Sequence, residues 1–332
     1  MKSLSFSSGD LIVDRRADYA EMLFAGGECA AAADLMRDAL ALAPAWAAGW
    51  FQLGEMREAA GDPAAASEAW TEALRLDPAD RVGASLKLAL VGAAHGLDAP
   101  PSAFVEALFD QYAESFDAKL VGRLGYRVPE LIHAALARAG ATRFAHVLDL
   151  GCGTGLMGER LRSFASFIEG YDISAGMLRK AAAKRVYDRL ERVDLQRLEA
   201  GERRADLVAI ADVLMYLGAL DRTLSTVADM TLPGGLLAFS LERHDGPEPM
   251  VLRASRRYAH SEPHLRDLLA RLGFEIVSMD REPIRLDRGQ PIEGLIVVAR
   301  RGGAAERMDG AAIALADDIV FSGQDDDRPS LN

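Results

Sequence analysis

Four glycines and three carboxylates carry the chemistry that can be read from this chain. The run VLDLGCGTGLMGERL, Val147 to Leu161, opens as an apolar strand and continues as a helix, with Gly151, Gly153, Gly155 and Gly158 between and inside them. A turn this bare lets a ligand lie against the backbone, where any Cβ would collide with it. Asp149 stands just ahead of the glycines, Asp172 closes the run EGYD, and Asp194 closes ERVD. A carboxylate at the end of a strand can accept hydrogen bonds from both hydroxyls of a ribose, and Asp149 is placed to welcome a cationic group. Gly153-x-Gly155-x-x-Gly158 also matches the dinucleotide fingerprint. There the helix N-terminus must attract a pyrophosphate, and Asp149 would work against it.

These acids need a scaffold that brings strand ends to one edge. From His146 onward, apolar runs alternate with helical spacing. Strands are expected at 146–151, 166–173, 190–195, 205–212, 235–242, 275–282 and 292–300. Helices are expected at about 155–164, 174–186, 219–230 and 261–272. Alternating β and α elements imply a parallel sheet covered by helices on both faces, with ligands at the carboxyl edge. The last two strands follow each other with only RLDRGQP between them, so they should form a hairpin.

Asp149-x-Gly151-x-Gly153-x-Gly155 resembles the first motif of S-adenosylmethionine (SAM) methyltransferases, and the resemblance runs from about Phe109 to Arg300. It implies an α/β, Rossmann-like seven-stranded methyltransferase sheet whose last strand is antiparallel. It implies SAM as cofactor, held by Asp149, Gly151, Gly153, Gly155, Asp172, Ile173, Met177, Asp194, Leu195 and Ala211. In that family the second acid takes the ribose, the third the adenine amino group, and Ile173 and Met177 sandwich adenine. ADVLMYLGAL replaces the Asn/Asp-Pro-Pro-Tyr type of segment used on planar nitrogens, so oxygen, carbon or other nitrogen acceptors are expected.

Two groups outside the cofactor motifs could meet the acceptor. FDQYAESFD resembles the family's aromatic entrance segment, with Tyr112 as its contact residue and Phe109 and Phe116 at docking spacing. RRYAHSEPHL offers Arg257, Tyr258, His260 and His264, a positive, aromatic and titratable cluster suited to an anionic or phenolic acceptor. The expected catalytic residues are therefore His260 as base, with Tyr258 and Tyr112; His244 is an alternative base, and His95, His133 and His146 read as structural. Ser261 reads as a helix N-cap.

The first hundred residues have another texture. Ala20 and Gly54, Gly27 and Gly61, Ala32 and Ala66, Ala39 and Ala73, and Pro44 and Pro78 recur at a period of about 34, the tetratricopeptide (TPR) spacing. WFQLGEMREAAGDPAAASEAWTEALRLDPAD resembles the TPR consensus through Trp50, Leu53, Gly54, Ala66, Ala73 and Pro78. A third copy fades after Arg81 and reads as a capping helix. The organisation expected is an all-α TPR module over 1–98, a SAM-dependent methyltransferase domain over 99–302, and an acidic, largely disordered tail over 303–332. Bacterial predicted methyltransferases that carry such repeats are similar.

The chain has 332 residues and a net charge of -12, which argues against a nucleic-acid backbone as main partner. LVAIADVLMYLGAL is the longest apolar stretch, and Asp212 interrupts it, so no membrane span is expected. Cys29 and Cys152 suggest neither a disulfide framework nor a metal site. A cytoplasmic enzyme is expected, with the acceptor unidentified and a protein partner for the repeats possible. Two other readings stay open: a scaffold that binds SAM without catalysis, and a nicotinamide oxidoreductase.

Overall fold

The computed structural model describes residues 7–94, 97–118, 120, 125–201, 203–287 and 289–303. His95 and the expected tail beyond 303 lie outside the described residues.

Two helical hairpins come first. They are α1 (Leu11–Ala25) with α2 (Cys29–Leu40), and α3 (Ala47–Ala59) with α4 (Pro63–Leu76). Both turn at the repeated glycines, Gly27 at φ 86° and Gly61 at φ 83°. The repeated small residues Ala20, Ala32, Ala39, Ala66 and Ala73 are fully buried between helices, which is why they are small. Gly54 shows the limit: a Cβ there would sit 2.2 Å from the Trp70 indole nitrogen. Asp10 caps α1 by accepting from the Ile12 and Val13 N–H groups, and Asp62 caps α4 ahead of Pro63. The short helix α5 (Ala84–Leu90) closes the stack, packing Ala84 and Leu88 against Trp70.

After α6 (Ser102–Tyr112) and α7 (Val128–Arg138) comes the sheet. Its strands are β1 (Phe144–Leu150), β2 (Ala165–Asp172), β3 (Arg189–Arg192), β4 (Ala205–Ile210), β5 (Thr231–His244), β6 (Met250–Leu252), β7 (Tyr258–Ser261), β8 (Phe274–Asp287) and β9 (Gln290–Arg301). The main path runs β3-β2-β1-β4-β5-β9-β8, parallel from β3 to β5, with β9 antiparallel to both neighbours. Successive residues face opposite layers. Val147, Leu207, Ala209 and Ala238 enter one core, while Leu148, Val208, Ile210 and Phe239 enter the other. Burial on both faces explains why these strands read as unbroken apolar runs.

Two differences from expectation matter. Among the described residues the sheet has nine strands rather than seven, because β6 and β7 form a small antiparallel pair on the outer end of β5. Strands of three and four residues are too short to show an alternation, so no strand is expected in RRYAHS. The hairpin strands β8 and β9 also continue through most of RLDRGQP. Among the described residues, no helix is long and apolar enough to cross a membrane.

The helical module is bonded to the sheet. Arg256, at φ 61° and buried, donates to the Val82 carbonyl at 2.9 Å. Its guanidinium stands over the rings of Phe51 and Phe104, at 5.3 and 4.9 Å. The connecting segment adds three bonds: Tyr258 Oη donates to the Leu97 carbonyl at 3.0 Å, Ala219 N–H to Asp98 at 2.7 Å, and Gln196 Nε2 to Pro100 at 2.8 Å. The expected boundary at 98/99 thus falls inside a segment laid against the sheet.

Candidate active site

A cavity of about 270 Å³ opens where β1, β2 and β4 end, under α6. This is the carboxyl edge at which open α/β sheets bind ligands. Of the expected cofactor residues, Gly151, Gly153, Asp172, Ile173, Met177, Asp194, Leu195 and Ala211 line it.

Asp172 is the hinge of this edge. Its Oδ2 accepts from the Gly153 N–H at 2.9 Å and its Oδ1 from Ser174 N–H at 2.8 Å, leaving further lone pairs toward the cavity. Burial pushes its carboxyl up to about 6, against the pull of those two N–H groups. Asp194 caps the turn after β3 through the Gln196 N–H at 3.0 Å. Gly153, at φ 54°, has nothing within 4 Å of the place a Cβ would take, so that space belongs to the cavity.

Two expected residues are not on the wall. Asp149 is fully buried behind the glycine turn, where Tyr187 Oη donates to its Oδ2 at 2.6 Å. Gly155 is the left-handed N-cap of the helix Leu156–Leu161, and a Cβ there would lie 3.1 Å from the Tyr187 ring. Gly158 and Gly170 leave room for the same ring, at 2.4 and 2.8 Å. Part of the glycine pattern therefore accommodates Tyr187, a residue with no motif around it in the sequence. Gly151 is bare because Val213 occupies its Cβ position, 2.2 Å away.

Asp149 nonetheless suits a cationic ligand. Its Oδ1 is buried and finds no hydrogen-bond partner among the described residues, and burial lifts its carboxyl to about 7 despite the bond from Tyr187. A positive group above the turn would favour the ionised form.

The entrance segment is tied over this edge. Asp110 Oδ1 accepts from Ser174 Oγ at 2.5 Å and from Gly176 N–H at 2.9 Å, and Asp117 accepts from Thr154 Oγ1 and pairs with Lys184 at 2.9 Å. Phe109, Tyr112 and Phe116 all line the cavity, so the two phenylalanines do more than dock the helix. Phe109 meets Tyr216 edge-on, with centroids 5.1 Å apart.

The opposite wall carries Tyr126, Asp212, Tyr216, Arg257 and Arg285. Arg285, almost fully buried, pairs with Asp212 at 2.7 Å and with Glu242. Arg257 Nε donates to Tyr216 Oη at 2.9 Å. Asp212 holds a left-handed backbone at φ 59°, its N–H bonded to Ser240 Oγ at 2.8 Å. Arg285 and Glu242 escaped sequence reading because each sits in a strand far along the chain, without a motif around it.

His260 and Tyr258 do not reach the cavity, which corrects the expected base and its neighbour. As residues of β7 both are buried. His260 Nε2 is 2.7 Å from the Gly218 carbonyl, and burial lowers its imidazole to about 4. Tyr258 is spent on Leu97. The alternative His244 is also off the wall, with Nδ1 accepting from Gly246 N–H at 3.0 Å.

Residues 122–279 match the model of a methyltransferase domain family. A malonyl-[acyl-carrier protein] O-methyltransferase of Enterobacter lignolyticus is 32% identical over 139 residues, 42% of this chain and 54% of that protein. The human methyltransferase-like protein 27 is 35% identical over 158 residues, 46% of this chain and 62% of its own. The chain thus spans a little over half the length of these curated relatives. Among solved structures, a DhpI–SAH complex covers 59% of this chain and 94% of its own, at 23% identity and a TM-score of 0.46.

Proposed function

We propose that the cavity binds SAM and that the protein transfers its methyl group to an oxygen, carbon or nitrogen nucleophile held against the far wall. Asp172 is the observation that carries this reading. Its carboxylate is fixed by the glycine turn and by Ser174 while still facing the cavity. That suits a ribose, with Asp194 on the adenine side and the orphaned Asp149 oxygen beneath the cationic methionine end. The relatives named O-methyltransferases favour oxygen as the atom methylated.

SAM supplies an already activated methyl group, so the protein's work is binding and alignment. Asp172 and Asp194 hold the nucleoside, Ile173 and Met177 flank its base, and Phe109, Tyr112 and Phe116 keep water out. Such positioning can supply about 7–11 kcal/mol of the barrier. The N-terminal hairpins are read as TPR repeats that support the catalytic domain, over the boundaries set out above, and that can present a partner.

Calorimetric titration with SAM and, in parallel, NAD tests the assignment. Binding of SAM but not NAD is expected, with SAM affinity reduced roughly 100-fold by Asp172→Ala. Binding of NAD alone would replace this reading with an oxidoreductase.

A further inference from the structure

We infer, independently of the methyl-transfer reading, that the outer face of α1 pairs with α1 of a second copy of this chain, antiparallel about a two-fold axis.

α1 turns Val13, Ala17 and Ala20 inward, and all three are buried. On its opposite side Leu11, Ile12, Tyr19 and Met22 are 53–67% exposed. At 3.6 residues per turn these four and Arg15 share a stripe about 100° wide, the width with which an amphipathic helix faces a core. A contiguous apolar patch left at the surface marks an interaction site.

The second hairpin shows what such a face contacts. One repeat of about 34 residues later, Leu53 takes the place of Tyr19, Met56 that of Met22 and Gln52 that of Asp18. These three are only 6, 2 and 4% exposed. Leu53 and Met56 share one core with Met36 and Leu40 of α2. In the second hairpin, then, the stripe is the contact with the hairpin before it. In the first it has no such neighbour among the described residues. The other end of the stack is closed, by α5 and by Arg256. Terminal units of helical arrays need a polar outer face, which α1 does not present.

The charges on the stripe single out a second copy as its occupant. Arg15 lies mid-stripe and Asp18 at its edge, and neither makes an ion pair among the described residues. With the two-fold axis level with the Arg16–Ala17 peptide, Arg15 of one protomer stands level with Asp18 of its partner, and Leu11 with Met22. Tyr19 then falls within about 3 Å of the height of the partner's Ile12, on the same side of the pair. Every contact occurs twice, as an isologous interface requires. One register thus matches the charges and the apolar side chains along the whole of α1.

Sedimentation equilibrium of the full chain tests this. The mass should rise from one chain to two across about 1–200 µM, with or without SAM, as a small specific interface implies. Tyr19→Glu, at an exposed position, should leave circular dichroism unchanged and hold the chain monomeric throughout. Arg15→Asp sets like charges against each other in both halves of the interface and should weaken dimerisation by at least about tenfold. Asp18→Arg should do the same alone, and the two changes together should restore the dimer to within about threefold. A chain monomeric at every concentration overturns the assignment, whether residues 1–6 of its own chain or another protein covers the face. So does a dimer that survives Tyr19→Glu, or a double reversal that dimerises no better than either single change.

Discussion

The two ends of the cavity are built in different ways. At the cofactor end, lining residues come from short contiguous runs: Gly151–Gly153, Asp172–Ile173 and Asp194–Leu195 each lie at or just past the end of a strand. At the other end, where the proposed acceptor would sit, Tyr126, Asp212, Tyr216, Arg257 and Arg285 come from segments spread over about 160 residues and meet only in the folded chain. A ligand common to many proteins can be met by a local backbone turn. A particular acceptor needs side chains gathered from several elements. The first end should therefore break through single backbone changes, the second through charge.

The largest effect is expected for Gly153→Val. The residue sits at φ 54° with its Cβ position open to the cavity. A β-branched side chain would be strained there by about 1–2 kcal/mol and would fill the ligand's space. Loss of SAM affinity by more than about 100-fold is expected, with helical circular dichroism unchanged, because ridding the turn of ligand leaves both cores intact. Normal binding by this variant would place the cofactor elsewhere.

Next comes Asp172→Ala, which removes the acceptor of two backbone N–H groups as well as the ribose contact. Hydrogen bonds to charged groups contribute about 1.5–3 kcal/mol each. SAM affinity should fall by roughly 100-fold, and the melting temperature should also drop, since Gly153 and Ser174 lose their partner. A strand-end carboxylate looks dispensable for folding from sequence; in the structure it staples the glycine turn.

That contrast shows what the sequence could and could not reveal. Asp172 and the glycines were legible because their spacing along the chain is their geometry. The sheet order was legible because buried parallel strands are apolar throughout. His260 misled because titratable residues near a strand end look functional until burial is known, and four residues of β7 are too few to announce a strand. Tyr187 was invisible for a related reason: three glycines from two elements converge on one ring, and convergence in space leaves no spacing to read.

A smaller effect follows from pH. Burial holds the Asp172 carboxyl at about 6 and Asp149 at about 7, both above their unfolded values. For each, the folded state binds the proton more tightly than the unfolded state. The stability they lend is thus complete below the unfolded value and lost as pH rises through 6 to 7. The free protein should melt higher at pH 5 than at pH 8 on this account. SAM affinity should run the other way, falling by up to about tenfold per unit below pH 6 as Asp172 takes up a proton and loses acceptor strength. Melting curves with and without SAM across pH 5–8 would show the two trends crossing. In Asp172→Asn the affinity trend should flatten; an unchanged slope would move its origin to another group.

The smallest effect on cofactor binding is expected where the two ends meet the helical module. Arg256 and Arg257 are neighbours in one turn, yet Arg256 reaches into the module while Arg257 reaches into the cavity. Arg256→Met keeps an apolar stem between Phe51 and Phe104 but gives up the bond to Val82 and the cation above two rings. A buried carbonyl left without its donor costs about 1–3 kcal/mol, and each cation–ring contact adds about 0.5–2. Stability should therefore fall by a few kcal/mol. SAM affinity should stay within about twofold, because no cofactor contact comes from this turn. Binding of the methyl acceptor should weaken more than binding of SAM, since a displaced Arg256 shifts Arg257 beside it. Equal weakening of both ligands would mean that the module supports the whole cavity rather than its acceptor end, and the division between the two ends would fail.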